Sequence, residues 1–198
     1  MRVTVFDYGA GNLHSLAKAL TSPGIDILTE TDPARAIETD VLVLPGVGAF
    51  GPAVERLTSA RASMRDAIIS GLPTLGICLG MQLLFDESDE GEGCGLGVFS
   101  GRVTALRAQR SPQMGWNTVD DVTDPLLYRI PIATAYYANR YACRPADESI
   151  VSAWSTHEAD RFPAMVRRGS TLGVQFHPEK SSAAGVRFIR AFLDEARQ

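Results

Sequence analysis

Cysteine is scarce in this sequence, with Cys78, Cys94 and Cys143 the only three among 198 residues. An odd, sparse set with no CxxC or Cys/His spacing excludes a disulfide framework and a zinc site. What it leaves open is a single reactive thiol. Excess positive charge is also missing: 19 Lys and Arg face 23 Asp and Glu, for a net charge of -4 and a pI near 5.4. Without a broad positive field to attract a polyphosphate, nucleic acid is excluded as an expected partner, and small molecules and proteins remain. Long hydrophobic runs are absent too. The opening MRVTVFDYGAGNL carries an Asp and several glycines where a secretory signal needs an uninterrupted apolar core, and no run reaches membrane-spanning length. The expected location is therefore the cytoplasm, with no membrane partner. No repeat, low-complexity tract or linker marks a boundary, so residues 1–198 are expected to form one domain. At 45% hydrophobic and 21% charged, the composition is that of a chain that folds.

Residues 3–7 form a β-branched and aromatic run ending at Gly9 and Gly11, and residues 13–20 then space their leucines at helical intervals. Short strands are expected at 25–29 and 41–44, the second apolar throughout, as in a strand covered on both faces. From Phe50 to Ile68 the apolar positions fit one side of a long helix, weakly patterned at TSARAS. Residues 73–77 read as the next strand and 79–85 as the next helix. This β-α-β-β-α-β-α order predicts an α/β fold with an open, largely parallel sheet flanked by helices. Between Gly95 and Phe176 the character changes to short β-rich runs, at 102–106, 132–137, 150–153 and 172–176, which predicts a more antiparallel second half. An apolar stripe at 183–196 predicts a closing helix, with Ser181 or Ser182 placed to cap its start.

Three motifs carry chemistry. In Gly76-Ile-Cys-Leu-Gly80 a cysteine sits between a predicted buried strand and a predicted helix, flanked by glycines two residues away on each side. That is the pattern of a nucleophile elbow, in which bulkier neighbours would collide with the flanking backbone. The positive end of the following helix favours thiolate there. Taken alone, the pentapeptide fits a buried, inert cysteine equally well. His177-Pro178-Glu179 follows the 172–176 strand and so ends on the same rim of the sheet. Pro178 biases His177 toward an extended conformation, which points Glu179 the same way and lets it reach the imidazole. Cys, His and Glu then supply nucleophile, base and orienter. By itself HPE also fits a turn whose Glu favours the next helix. His14 and His157 have no such neighbours and read as structural or solvated. Third, Pro45-Gly46-Val47-Gly48 ends the 41–44 strand on that rim. Its glycines allow close approach of backbone N–H donors to an oxyanion, with the Leu79 N–H as a second donor. PGVG alone is also consistent with a tight turn or a phosphate cradle.

Together GICLGMQLLF, HPEKS, PGVGAFG and DYGAGNLHSL resemble the class I, or triad, glutamine amidotransferases, a flavodoxin-like fold, from Asp7 to the final helix. GxCLGxQ and HPE are common to that superfamily. DYGxGN, PGVG, MGWN at 114–117 and HPEKS resemble in particular the glutaminase subunits of imidazole glycerol phosphate synthases. The resemblance implies a Cys78 glutamyl thioester, proton shuttling by His177 oriented by Glu179, and no cofactor or metal. It also implies that Gln82 and Glu90 hold glutamine's α-amino acid end. Glu90 otherwise reads as part of a solvated acidic run, although a carboxylate suits an ammonium. The resemblance further implies a heterodimer with a TIM-barrel cyclase subunit, since a barrel of about 250 residues must come as a separate chain. Asn12, Trp116, Tyr136 and Lys180 are the expected partner contacts, and a turn of the PGVG backbone is the expected means of activation. One departure is Asn139-Arg140, where such proteins commonly carry His followed by Ser or Thr. Competing readings are a glutaminase of another pathway, a stand-alone γ-glutamyl hydrolase, and a flavodoxin-like binding module with an inert Cys78.

Overall fold

Apolar runs too short for helices become the middle of a sheet in the computed structural model, which describes residues 1–9 and 13–198. Strands β1 (Arg2–Phe6), β2 (Asp26–Glu30), β3 (Val41–Leu44), β4 (Thr74–Ile77) and β12 (Thr171–Val174) run parallel. Antiparallel β11 (Asp160–Arg168) and β10 (Val151–His157) extend one edge, giving the order β10-β11-β12-β4-β3-β1-β2. Alternate residues of β3 feed opposite faces, as a pleated strand requires. Val41 and Val43 pack with α1 (His14–Leu20) and α7 (Ser182–Glu195). Leu42 and Leu44 pack with α3 (Phe50–Leu57), α4 (Arg61–Ile69) and α5 (Leu79–Leu83). A one-turn α2 (Pro33–Ala36) is capped by Asp32, whose carboxylate accepts from the Ala34 N–H. The expected class, a mixed and largely parallel sheet with helices on both faces, is what the chain forms.

The second half is β-rich and mostly antiparallel. A small sheet combines β5 (Glu87–Ser88), β6 (Gly101–Ala105) and β9 (Tyr141–Pro145). A separate pair joins β7 (Gln113–Thr118) to β8 (Thr134–Asn139), with α6 (Pro125–Arg129) in the connection. The chain then returns through β10 and β11 so that β12 inserts beside β4, pairing Val174 with Ile77. That return places the segment after β12 against the segment after β4.

Two expectations need correction. The helix predicted over 50–68 is broken by a 3₁₀ turn at Thr58–Ala60, and Ala60 leaves the helical region (φ -130°). Thr58 hydroxyl donates back to the Val54 carbonyl at 3.0 Å, a local bond that competes with a straight helix. Ser181 occupies the N-cap position of α7 but does not cap it. Its hydroxyl donates to the His177 carbonyl (2.7 Å) and accepts from the Tyr136 N–H (2.9 Å), fastening the segment after β12 to β8.

Candidate active site

Cys78 stands at the junction of β4 and α5 with φ 48° and ψ -103°, a conformation disfavoured for a residue with a side chain. Its N–H donates to the Val174 carbonyl at 2.7 Å, so parallel pairing continues up to the elbow. The flanking glycines are needed for closure. A Cβ on Gly80 would overlap the Leu44 carbonyl, and one on Gly76 would lie 2.7 Å from the Gly80 carbonyl oxygen. Neither side chain can be added without moving α5 off the sheet.

His177 and Glu179 meet at this elbow. His177 N–H donates to the Tyr136 carbonyl at 2.8 Å, which fixes the ring's origin against β8. Its Nδ1 donates to Glu179 Oε1 at 2.8 Å, both side chains being buried. With Nδ1 so engaged, Nε2 is the nitrogen left for the thiol, and the imidazole interacts electrostatically with the Cys78 sulfur. The segment is not extended throughout, as Pro178 had suggested: His177 is extended, but Pro178–Lys180 form a 3₁₀ turn, which delivers the carboxylate to the ring by curling back. Burial disfavours a charged imidazole, yet the facing sulfur and the Glu179 carboxylate outweigh it and push His177 up to about 10. The arrangement therefore holds a proton on the imidazole when the sulfur is anionic, the state a nucleophilic thiol needs.

The PGVG loop touches both groups. A Cβ on Gly46 would lie 2.9 Å from His177 Cε1 and 3.0 Å from Cys78 Cβ, so glycine is required for this approach. Gly48 adopts φ 108°. The buried Tyr8 hydroxyl donates to the Pro45 carbonyl and anchors the loop from behind. Val47, Gly46, Glu179 and Lys180 line one cleft of about 190 Å³. Leu79 opens α5, where first-turn N–H groups have no intrahelical acceptor.

The other expected residues are placed as follows. Gln82 is buried, and its NH₂ group donates to the Tyr141 carbonyl (3.2 Å) and to Gln175 Oε1 (3.4 Å). Glu90 is half-buried, and its Oε2 accepts from the Phe50 N–H at 3.1 Å, at the start of α3 just beyond PGVG. Trp116 is 56% exposed and meets half-buried Tyr136 edge-on across the β7–β8 pair (centroids 6.4 Å apart), so it is not a core tryptophan. Lys180 is exposed. Asn12 lies outside the described residues. Asn139 is buried, with its Nδ2 donating to the Tyr141 carbonyl at 3.1 Å, whereas Arg140 faces solvent. His157 is held by the Arg110 carbonyl at 2.7 Å, far from the elbow in role. Three contributors escaped the sequence reading: Tyr8, Ser181 and Gln175, whose Nε2 lies 3.4 Å from the Cys78 sulfur. The signal for Gln175 was present, as a polar residue in the apolar strand VQF, two positions before the histidine and hence on its side. Among the described residues no His, Cys, Asp and Glu cluster could hold a metal, and no helix is long and apolar enough to cross a membrane.

A strained cysteine elbow backed by a His-Glu pair on a mixed α/β sheet defines a thiol amidotransferase site, and the chain belongs to the class-I glutamine amidotransferases, whose family model matches residues 4–196. It is 42% identical to the "Imidazole glycerol phosphate synthase subunit HisH" of Gloeothece citriformis over 98% of this chain and 96% of that one. A protein of the same description from Symbiobacterium thermophilum is 43% identical over 95% and 91% of the two chains. Among solved structures, a glutamine amidotransferase superposes with a TM-score of 0.75 at 21% identity, over 99% of both chains. PurLQS from Thermotoga maritima does so with 0.72 at 18% identity, over 98% of both.

Proposed function

We propose that this chain, acting as a single domain, is the glutaminase subunit of an imidazole glycerol phosphate synthase. One observation carries the reading: Cys78, on a strained elbow, stands across Gly46 from a histidine that a buried glutamate orients at 2.8 Å. Cys78 sulfur attacks the side-chain carbonyl carbon of glutamine. Backbone N–H groups of Leu79 and the Gly46-Val47-Gly48 turn hold the developing oxyanion. As the C–N bond breaks, His177 gives its proton to the leaving nitrogen and ammonia departs. Water then attacks the thioester with His177 as base, the C–S bond breaks, and glutamate leaves with the thiol restored. Glu90 suits glutamine's α-ammonium. Gln82 has both N–H bonds engaged, so what it offers the same group is its carbonyl oxygen.

Ammonia passes to a separate TIM-barrel cyclase subunit, in a cytoplasmic heterodimer, which forms imidazole glycerol phosphate and an aminoimidazole carboxamide ribonucleotide in histidine biosynthesis. Exposed Trp116, with Tyr136 and Lys180 nearby, and Asn12 form the docking face. Docking turns the PGVG backbone toward the oxyanion and raises glutamine hydrolysis. The test supplies glutamine with and without a cognate cyclase and its nucleotide, following glutamate and imidazole glycerol phosphate. Stimulation by the complex is expected. Cys78→Ala abolishes glutamate release, while ammonium salts restore the cyclase product. Ammonia release by the isolated chain at the full rate of the complex would identify a stand-alone hydrolase instead.

A further inference from the structure

The triad accounts for one side of the Cys78 sulfur, and a buried chain of amides approaches the other. Gln175 follows β12 directly, in the register that sets Val174 beside Ile77, so it lies next to Cys78 across the parallel pair. It is fully buried, and its backbone N–H is taken by the Ala164 carbonyl at 2.9 Å. Which end of its amide faces the sulfur follows from the neighbours. The Tyr141 carbonyl can only accept, so Gln82, 3.2 Å away, presents its NH₂ group there. The second proton of that NH₂ group points at Gln175, 3.4 Å away, and requires an acceptor, so Gln175 presents Oε1 to Gln82. Its own NH₂ group is then left facing Cys78 Sγ at 3.4 Å.

We infer that Gln175 is a further catalytic residue, whose side-chain N–H donates to the Cys78 sulfur and stabilises it as the thiolate, and that Gln82 is a positioning residue fixing the orientation of the Gln175 amide. This rests on the glutaminase reading above. A donor is needed for two reasons. The five-residue α5 is too short to contribute a full helix dipole. The Ala138 carbonyl oxygen, at 4.0 Å from the sulfur, accepts from a thiol but repels a thiolate. Hydrogen bonds to a charged partner are the strong ones, and this one is fully desolvated. His177 after β12, Tyr8 after β1 and Cys143 on β9 are the other titratable groups electrostatically coupled to Cys78. Burial holds Tyr8 and Cys143 in their neutral forms by raising both, so neither places a second negative charge beside the sulfur.

The test alkylates the free full-length chain with iodoacetamide across pH 5.5–9.5, without glutamine or partner, in a Cys94→Ser background that removes the exposed thiol. Gln175→Met keeps the side chain's length and lacks the N–H. It is expected to slow Cys78 alkylation at pH 7 roughly tenfold and to move its pH midpoint upward. kcat falls similarly while KM for glutamine stays within about twofold, as expected when only transition-state interactions are lost. Gln82→Met, which frees the Gln175 amide to flip, shifts the midpoint in the same direction by less. A midpoint unmoved by Gln175→Met, with Cys78 still alkylated and glutamate still released, overturns this inference and leaves the glutaminase reading standing. Cys78 that resists alkylation at every pH overturns both. Should the variants fail to fold, the unsubstituted protein decides. The Gln175 side-chain amide resonances must move with pH in step with the alkylation midpoint and collapse to one pH-independent position after Cys78 is alkylated. Resonances indifferent to both overturn the inference.

Discussion

At the scale of single residues, the Cys78 sulfur sets the state of the imidazole. Burial acts to lower the affinity of His177 for its proton, and the facing sulfur is the largest influence raising it, followed by Glu179. Removing the sulfur should leave burial opposed by Glu179 alone. Cys78→Ala is therefore expected to bring the His177 midpoint down from about 10, read from the imidazole resonances in a pH titration. A midpoint that stays or rises would mean that the two groups are not coupled. Glu179→Gln keeps the shape but loses the charge and the fixed tautomer, and glutaminase kcat should fall on the order of 10³–10⁴-fold, as in other triads that lose their orienting carboxylate. These three residues were legible in the sequence because each is rare in its context: a cysteine between glycines, and a histidine and glutamate around a proline. Tyr8 and Ser181 were not, and of Gln175 only its place on the histidine's side of the strand was, not the direction of its amide. Each acts through the direction of one side chain, and neither composition nor spacing tells where a tyrosine hydroxyl or a glutamine amide will point.

At the scale of elements, the site depends on backbone approaching backbone. Gly80→Ala would drive a methyl group into the Leu44 carbonyl, so β3 and α5 must separate. A loss of about 3 kcal/mol or more is expected from urea unfolding. Gly71 is the control: φ is 110°, but a Cβ there meets nothing within 4 Å. Gly71→Ala should cost only backbone strain, about 1–2 kcal/mol. Similar losses for the two variants would contradict the role of close approach. Ser181→Ala leaves the Tyr136 N–H without its partner and the His177 carbonyl with only the Lys180 N–H, and should cost about 1–3 kcal/mol. It should also lower kcat, because those bonds seat the catalytic turn on β8. Sequence periodicity found β1, α1, β3, β4 and α7, where one pattern runs uninterrupted. It overran the α3–α4 break, where Thr58 bonds backward locally. It also missed β11, the longest strand, because Pro163 reads as a breaker. The proline is tolerated because Trp154, its partner across the bulged β10 pairing, exchanges its backbone bonds with Asp120 instead (2.7 and 2.8 Å).

At the scale of the whole molecule, the sheet class could be read from the order of elements, but the return of β12 to β4 could not. Pairing across the long β-rich insertion depends on contacts between segments with no local mark, and that pairing is what brings Cys78 and His177 together. The same assembly buries groups that titrate, and its stability should depend on pH in a definite direction. His177 is raised from 6.5 to about 10 on folding, so the native state holds a proton that the unfolded chain has released in between. Its contribution is complete below pH 6.5 and is lost as pH rises through about 10. Cys143 and Tyr8, raised by burial, keep their protons above their ordinary values of 9.0 and 10.0, where the unfolded chain gives them up. The imidazole's extra proton is matched by the one its facing sulfur gives up when anionic, so between pH 6.5 and about 9 the pair changes the balance little, whereas Cys143 and Tyr8 act in one sense: stability falls as pH rises above about 9. Urea midpoints at pH 6.5 and 8 should lie close together, and those at 9.5 and 10.5 should decline. In Cys78→Ala the decline above 9 should remain, because burial is the first cause of the Cys143 and Tyr8 shifts. A profile that does not fall above pH 9 would show that burial does not hold the Cys143 and Tyr8 protons in the folded chain.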